Sequence, residues 1–262
     1  MGKNKKDGQI AVIVGATSGM GLEVARILHK RGWIVAIAGR RKQKLDEIQE
    51  ELGERCVTKV IDVLREDSTS LLLELIGELG GMDLYFHSAG IGFQNPNLEK
   101  WKEIDTVQTN ATGFVRMVDA AFNYFCEKEH GHIAVISSIA GVRGLGVAPA
   151  YSATKRFQNT YLEALTQLAR MKKKKISITD IRPGFVDTDL LGGGQYPMKM
   201  NVRLVAREIV WAIFRDRRTI VVDWRYKILV VLWRLIPRCI WVRLKVGHLP
   251  SDGFESDSQD FS

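Results

Sequence analysis

The chain has little of what a disulfide scaffold, a metalloprotein or a membrane-spanning protein needs. Its three cysteines, Cys56, Cys126 and Cys239, are odd in number, far apart, and outside any CxxC or Cys/His spacing. That arrangement speaks against a disulfide framework, and no metal is expected. No stretch reaches the roughly 20 mostly apolar residues of a bilayer-spanning helix. No Pro-, Gly- or Ser-rich linker and no internal repeat divides the 262 residues, so one domain with a large core is expected. Residues 1–9 carry Lys3, Lys5 and Lys6 without the apolar stretch of a secretory signal, which reads as a basic tail on a cytoplasmic protein.

Acidic residues are missing from one region altogether. Between Trp224 and Asp252 stand Arg225, Lys227, Arg234, Arg238, Arg243 and Lys245 with no Asp or Glu, and without these six the net charge of +8 falls to +2. A basic excess suits nucleic acid, an anionic membrane or an anionic cofactor. Neither a recognition-helix signature nor an RNA-binding aromatic motif is present, so nucleic acid is not an expected partner.

What is present is an alternation of short apolar runs with amphipathic stretches. Runs at Ile10–Val14, Ile34–Ala38, Val57–Ile61, Leu84–His87, Ile133–Ser137, Ile176–Ile181 and Ile220–Val222 predict seven strands separated by helices. Near-continuous apolar strands are those of a parallel sheet covered on both faces. The expected fold is therefore α/β, a single doubly wound Rossmann-type domain over residues 10–224 with a seven-stranded parallel sheet. Residues 251–262 are acidic and aperiodic, and disorder is expected there.

The first run enters VGATSGMG, where Gly15, Gly19 and Gly21 bracket Thr17, Ser18 and Met20. Glycines at a strand-to-helix turn let backbone approach a pyrophosphate held at the helix N-terminus. After the second run comes AGRR, with Gly39 where an acid would grip a ribose. Arg40 and Arg41 instead suit a 2′-phosphate, which points to NADP(H), with Arg40 the stronger candidate and Arg41 open to being a solvated cation. Asp62, with Val63 beside it, reads either as an adenine contact or as a helix cap. Ala89 and Gly90 close the fourth run with small residues past which a dinucleotide fits, while His87 before them reads as structural.

Tyr151 and Lys155 are four apart in YSATK, which on a helix puts them on one face. A phenol of pKa near ~10 needs a nearby cation to exchange protons at neutral pH, and lysine supplies one. Ser138, thirteen residues upstream at a strand end, is placed to hydrogen-bond a substrate oxygen. Pro183 and Gly184 stop the sixth run, and Thr188 follows as a candidate carboxamide partner.

In order and spacing from Ile10 to Thr188, these residues resemble the short-chain dehydrogenase/reductase family. The shared features are the glycine turn, Asp62, Ala89-Gly90, Asn110, Ser138, Tyr151 with Lys155, and a PG-x-V-x-T segment from Pro183 through Val186 to Thr188. The resemblance implies hydride transfer at the nicotinamide C4 and a catalytic tetrad of Asn110, Ser138, Tyr151 and Lys155. It further implies that Asn110 kinks its helix and holds a water joining Lys155 to solvent. Pairing of helices around Val107–Glu127 and Tyr151–Met171, as homodimer or homotetramer, is implied too. Val14 and His87-Ser88 depart from the family's usual threonine and asparagine pair.

The expected activity is NADP(H)-dependent interconversion of a ketone or aldehyde and an alcohol, as a carbonyl reductase for an apolar or lipid-like substrate. The alternative is a non-catalytic NADP(H)-binding sensor or scaffold of the same fold. After Thr188, three glycines at 192–194 suggest a mobile lid, with Leu190, Leu191, Tyr196, Met198 and Met200 as apolar walls or core. Residues 225–250 form a basic, apolar segment. Within it, 225–245 reads as two short amphipathic pieces hinged at Pro237, either lying on an anionic membrane with Trp233 and Trp241 at headgroup level or packed on the domain.

Overall fold

A computed structural model describes residues 8–191 and 196–246. Seven strands form one parallel sheet: β1 (Ile10–Val14), β2 (Ile34–Gly39), β3 (Cys56–Val60), β4 (Leu84–His87), β5 (His130–Ile136), β6 (Lys175–Arg182) and β7 (Thr219–Val221). Their order is β3-β2-β1-β4-β5-β6-β7. Each expected strand is present. The fifth begins three residues earlier than its apolar run and ends before Ser137, because the polar His130–His132 still pairs with β6.

Alternation along β1 shows why both faces are covered. Ala11 and Ile13 enter one apolar cluster and Val12 and Val14 the other, as the two-residue period of a strand requires. The first cluster takes in α1 (Gly19–Lys30), α2 (Lys42–Leu52) and α7 (Val202–Phe214). The second takes in α3 (Ser68–Glu78), α5 (Phe114–Lys128) and α6 (Pro149–Met171), while the short α4 (Lys100–Val107) runs into α5 through a π-helical turn at Gln108–Gly113. The strand order reverses between β1 and β4, so a crevice opens beyond their carboxyl ends, the usual ligand position in such sheets.

The polypeptide after β7 belongs partly to this core. Helix α8 (Trp224–Leu235) starts at Asp223, whose carboxylate accepts from the Arg225 amide at 2.8 Å. It buries Tyr226 and Val230 in the first cluster, so the core runs past residue 224. A break at Ile236-Pro237 leads to α9 (Arg238–Trp241), the expected two pieces. The two tryptophans, however, do not face outward. Trp233 and Trp241 meet edge-on at 5.3 Å, and the Trp241 indole N–H donates to the Gly144 carbonyl at 2.8 Å. Rings that close the hinge gap and find a carbonyl gain more by packing inward, and Trp224, 67% exposed, is the outward one. Among the described residues no helix is long and apolar enough to cross a membrane.

Candidate active site

The cofactor side of the crevice is built from backbone that only glycine permits. Gly15 has φ +82°, and a Cβ there would lie 2.3 Å from the Ala89 amide nitrogen, so the β1 and β4 ends meet without side chains between them. A Cβ on Gly19, which opens α1, would lie 3.3 Å from Thr188 Cγ2, so the first and last motifs of the sequence face each other. Ser18 stands at the N-cap of α1 without capping it, since its hydroxyl accepts from Arg41 at 2.8 Å. No acid occupies the first turn of α1, which leaves that N-terminus suited to an anion.

A cavity of about 280 Å³ gathers Gly15, Thr17, Ser18, Arg40, Arg41, Asp62, Val63, Ala89 and Gly90 from four strand ends. Met20 and Gly21 lie within α1, with Gly21 against the Gly15 carbonyl, and do not line it. Arg41 is tied in place, donating to Thr17 Oγ1 at 2.7 Å as well as to Ser18. Arg40 lines the same cavity from an exposed position. Asp62 accepts from the Leu64 amide at 3.0 Å in a local turn that caps no helix, since α3 begins only at Ser68, and it lines the cavity. The glycine backbone and the two arginines therefore suit an anionic dinucleotide.

Beside the cavity lies the reacting side. Tyr151 and Lys155 project from α6, with the lysine Nζ 5.7 Å from the phenol ring centre. Lys155 is buried and donates to the Ile136 carbonyl and to Gln158 Oε1, both at 3.0 Å. Burial lowers its pKa to about 8, opposed by the carboxylate of Asp180. Burial raises the Tyr151 phenol above its ordinary value, with the nearby Ser138 hydroxyl acting against that rise. Ser138 begins the 3₁₀ turn Ile139–Val142 and accepts from the Ala140 amide at 3.1 Å. Below it, Ser137 hydrogen-bonds Asp180, which is ion-paired with Arg182 at 2.6 Å.

Asn110 sits in the π-helical turn, the local kink implied for it. Its side chain clamps Ile91, donating to the carbonyl at 2.7 Å and accepting from the amide at 2.9 Å. Its own carbonyl accepts from Gln158 Nε2 at 2.8 Å, so Gln158 bridges Lys155 to Asn110. Gln158 was not singled out in the sequence; its signal is a polar residue on the buried face of α6, three after Lys155. Gly92 was missed as well. A Cβ there would lie 2.4 Å from Tyr151 Cδ2, so the β4 loop is the floor under the phenol.

The turn after β6 carries Pro183, whose carbonyl accepts from the Ile139 amide at 3.1 Å and ties this turn to the Ser138 loop. Gly184 lies flat against Tyr226, where a Cβ would meet the ring at 2.2 Å. The Tyr226 hydroxyl accepts from the Phe185 amide at 3.1 Å, which makes this α8 residue a third one that sequence reasoning missed. Val186 pairs with Met200, which is buried, so Met200 is core rather than pocket wall. Met198 packs on the same core, Tyr196 packs against Phe185 at 4.7 Å, and Leu190 is exposed. The three glycines read as a lid lie outside the described residues. His87 is fully buried, 2.9 Å from the Tyr85 hydroxyl, and burial with the nearby Lys155 lowers its pKa to about 3, which keeps it neutral.

The sequence model of the short chain dehydrogenase family matches residues 9–195. The chain belongs to that family. Among its short-chain dehydrogenase relatives, an uncharacterised oxidoreductase of Myxococcus xanthus is 34% identical over 194 residues, covering 72% of this chain and 76% of the other. One from Mycobacterium tuberculosis is 30% identical over 243 residues, with 88% and 95% covered. In fold, this short-chain dehydrogenase is similar to an actinorhodin polyketide ketoreductase determined with NADPH (TM-score 0.73, 24% identity, 84% and 97% covered). It is equally similar to a 3-ketoacyl-(acyl-carrier-protein) reductase of Brucella melitensis complexed with NADH (TM-score 0.74, 22% identity, 83% and 97% covered). As a short-chain dehydrogenase, the protein is an oxidoreductase.

Proposed function

We propose that this short-chain dehydrogenase uses NADP(H) to interconvert a ketone or aldehyde and an alcohol, as a carbonyl reductase for an apolar or lipid-like substrate. The observation that carries the reading is Tyr151 on α6, its ring centre 5.7 Å from the buried Lys155 Nζ, with Lys155 packed against Gly90 of the glycine-lined cavity. The glycine turn, Asp62, Val63, Ala89 and Gly90 would hold the dinucleotide, with Pro183, Gly184, Val186 and Thr188 on the nicotinamide side. Arg40 and Arg41 in place of a carboxylate favour the 2′-phosphorylated form. When bound, the dinucleotide supplies or accepts the hydride.

The chain's own groups handle the proton. Ser138 donates a hydrogen bond to the carbonyl oxygen, and Tyr151 delivers its phenolic proton to that oxygen. Lys155, a cation below pH about 8, stands close enough to favour the phenolate left behind, against the burial that raises the phenol. Gln158 and Asn110 hold Lys155 in place. A non-catalytic sensor would have no use for a cation buried beside a phenol, which burial alone makes costly. The same reading expects a homodimer or homotetramer paired through α5 and α6, and a cytoplasmic chain that works at an anionic membrane surface through 225–245.

Tyr151→Phe tests the proposal. NADPH binding, read by nicotinamide fluorescence, should persist while turnover of aldehydes, ketosteroids and 3-oxo lipids is lost. Wild-type turnover in the variant would refute the assignment.

A further inference from the structure

Helix α8 has two apolar faces, and the fold uses one. Tyr226 and Val230 enter the core, whereas Trp224, Ile228, Val231, Leu232 and Leu235 are 67, 52, 56, 54 and 73% exposed. At about 100° per residue those five fall within one stripe roughly 100° wide. Past the Pro237 break, Ile240 and Val242 are exposed as well, at 48 and 69%. So much contiguous exposed apolar surface marks a contact with something outside the chain.

Charge says what that is. No Asp or Glu occurs among the described residues after Asp223, and Lys227 and Arg234 flank the stripe on one edge. Arg225 is neutralised by Asp223 at 2.7 Å, but Arg234, Arg238 and Lys245 line an open cleft of about 1520 Å³ between α9 and the loop after Val142. Glu163 is the cleft's one carboxylate among the described residues. A second copy would bring the same cations against these, since a two-fold interface sets a patch on itself. An anionic bilayer offers apolar depth beside negative headgroups.

We propose that α8 and α9 form an in-plane anchor for anionic membranes, with the α8 stripe in the acyl boundary and Arg234, Arg238 and Lys245 on headgroup phosphates. The anchor is clamped to the catalytic loop. Arg143, five residues after Ser138, donates to the Trp233, Arg234 and Ile236 carbonyls at 3.0, 3.0 and 2.6 Å. Docking therefore sets the Ser138 side of the site against the lipid surface.

Full-length protein should co-sediment with phosphatidylcholine vesicles containing about one third phosphatidylglycerol at least tenfold more strongly than with phosphatidylcholine alone, with a blue shift of tryptophan emission that Trp224→Phe reduces. Leu232→Asp/Leu235→Asp should abolish binding at unchanged melting temperature, and Arg238→Gln/Lys245→Gln should remove the preference for anionic lipid. Equal binding to both vesicles, undiminished binding by the aspartate variant, or a dimer in light scattering that only this variant loses would each overturn the proposal, the last in favour of a second copy.

Discussion

Lys155→Met removes a cation that is 4% exposed, and the consequence for stability depends on pH in a way that geometry dictates. Burial holds the folded-state pKa at about 8, against about 10.4 for an unfolded lysine. Between those values the unfolded chain binds more protons, so wild-type stability rises as pH climbs through this window. At about 1.36 kcal/mol per unit the full rise is roughly 3 kcal/mol, of which about 2 kcal/mol is reached near pH 9.5. Methionine carries no proton and lacks the rise. Urea unfolding of both proteins near pH 7 and near pH 9.5 reads the effect, and other titrations cancel in the difference. Wild type should gain about 2 kcal/mol on the variant between the two pH values. Parallel stabilities would refute the reasoning, because they would mean that Lys155 keeps its solvent pKa.

Gln158→Leu breaks the bridge between Lys155 and Asn110, and losing hydrogen bonds to a charged group at about 1.5–3 kcal/mol should lower kcat roughly tenfold or more. Cofactor affinity should stay the same and the pH profile of kcat should move; an unchanged profile would make Gln158 packing only. Gly92→Ala puts a methyl 2.4 Å from the Tyr151 ring, where normal contact needs about 3.5–4.0 Å. The ring must shift by about 1 Å, which should cost on the order of 100-fold in turnover. Fluorescence titration should find NADPH still bound, and wild-type turnover would count against the placement. Arg40→Ala should weaken NADPH by about tenfold and NADH little, through loss of a charge-assisted contact. Equal losses for the two cofactors would show that Arg40 does not distinguish them.

Strand positions were legible because the sheet is buried on both faces, so each strand is a short apolar run such as IAVIV or LYFH. The candidate residues could be named because their spacing is tied to strand ends; the fold gathers Gly15, Arg40, Arg41, Asp62, Ala89 and Gly90 around one cavity and packs Lys155 of α6 against Gly90. Residues that act across the fold were not. Gln158 bonds the Asn110 carbonyl from 48 positions away, and Tyr226 supports Phe185 from 41 away, separations that no local pattern reports. The tryptophans of the C-terminal segment misled for the same reason. An amphipathic pattern says that a residue has two kinds of face, and tertiary packing decides which of them Trp233 and Trp241 present.

Arg143 and Tyr226 also set a timetable. A chain emerging from the ribosome folds from its N-terminal end, so the sheet from β1 to β6, with the glycine turn and α6, can form first. Until residues 226–241 have been made, Gly184 faces an empty slot, the Phe185 amide lacks its acceptor, and the Arg143 guanidinium has no helix end to grip. The site can therefore close only after α8 and α9 have been made, and a chain that stalls before α8 carries the glycine-lined cradle without Tyr226 and the helix end that brace its far side.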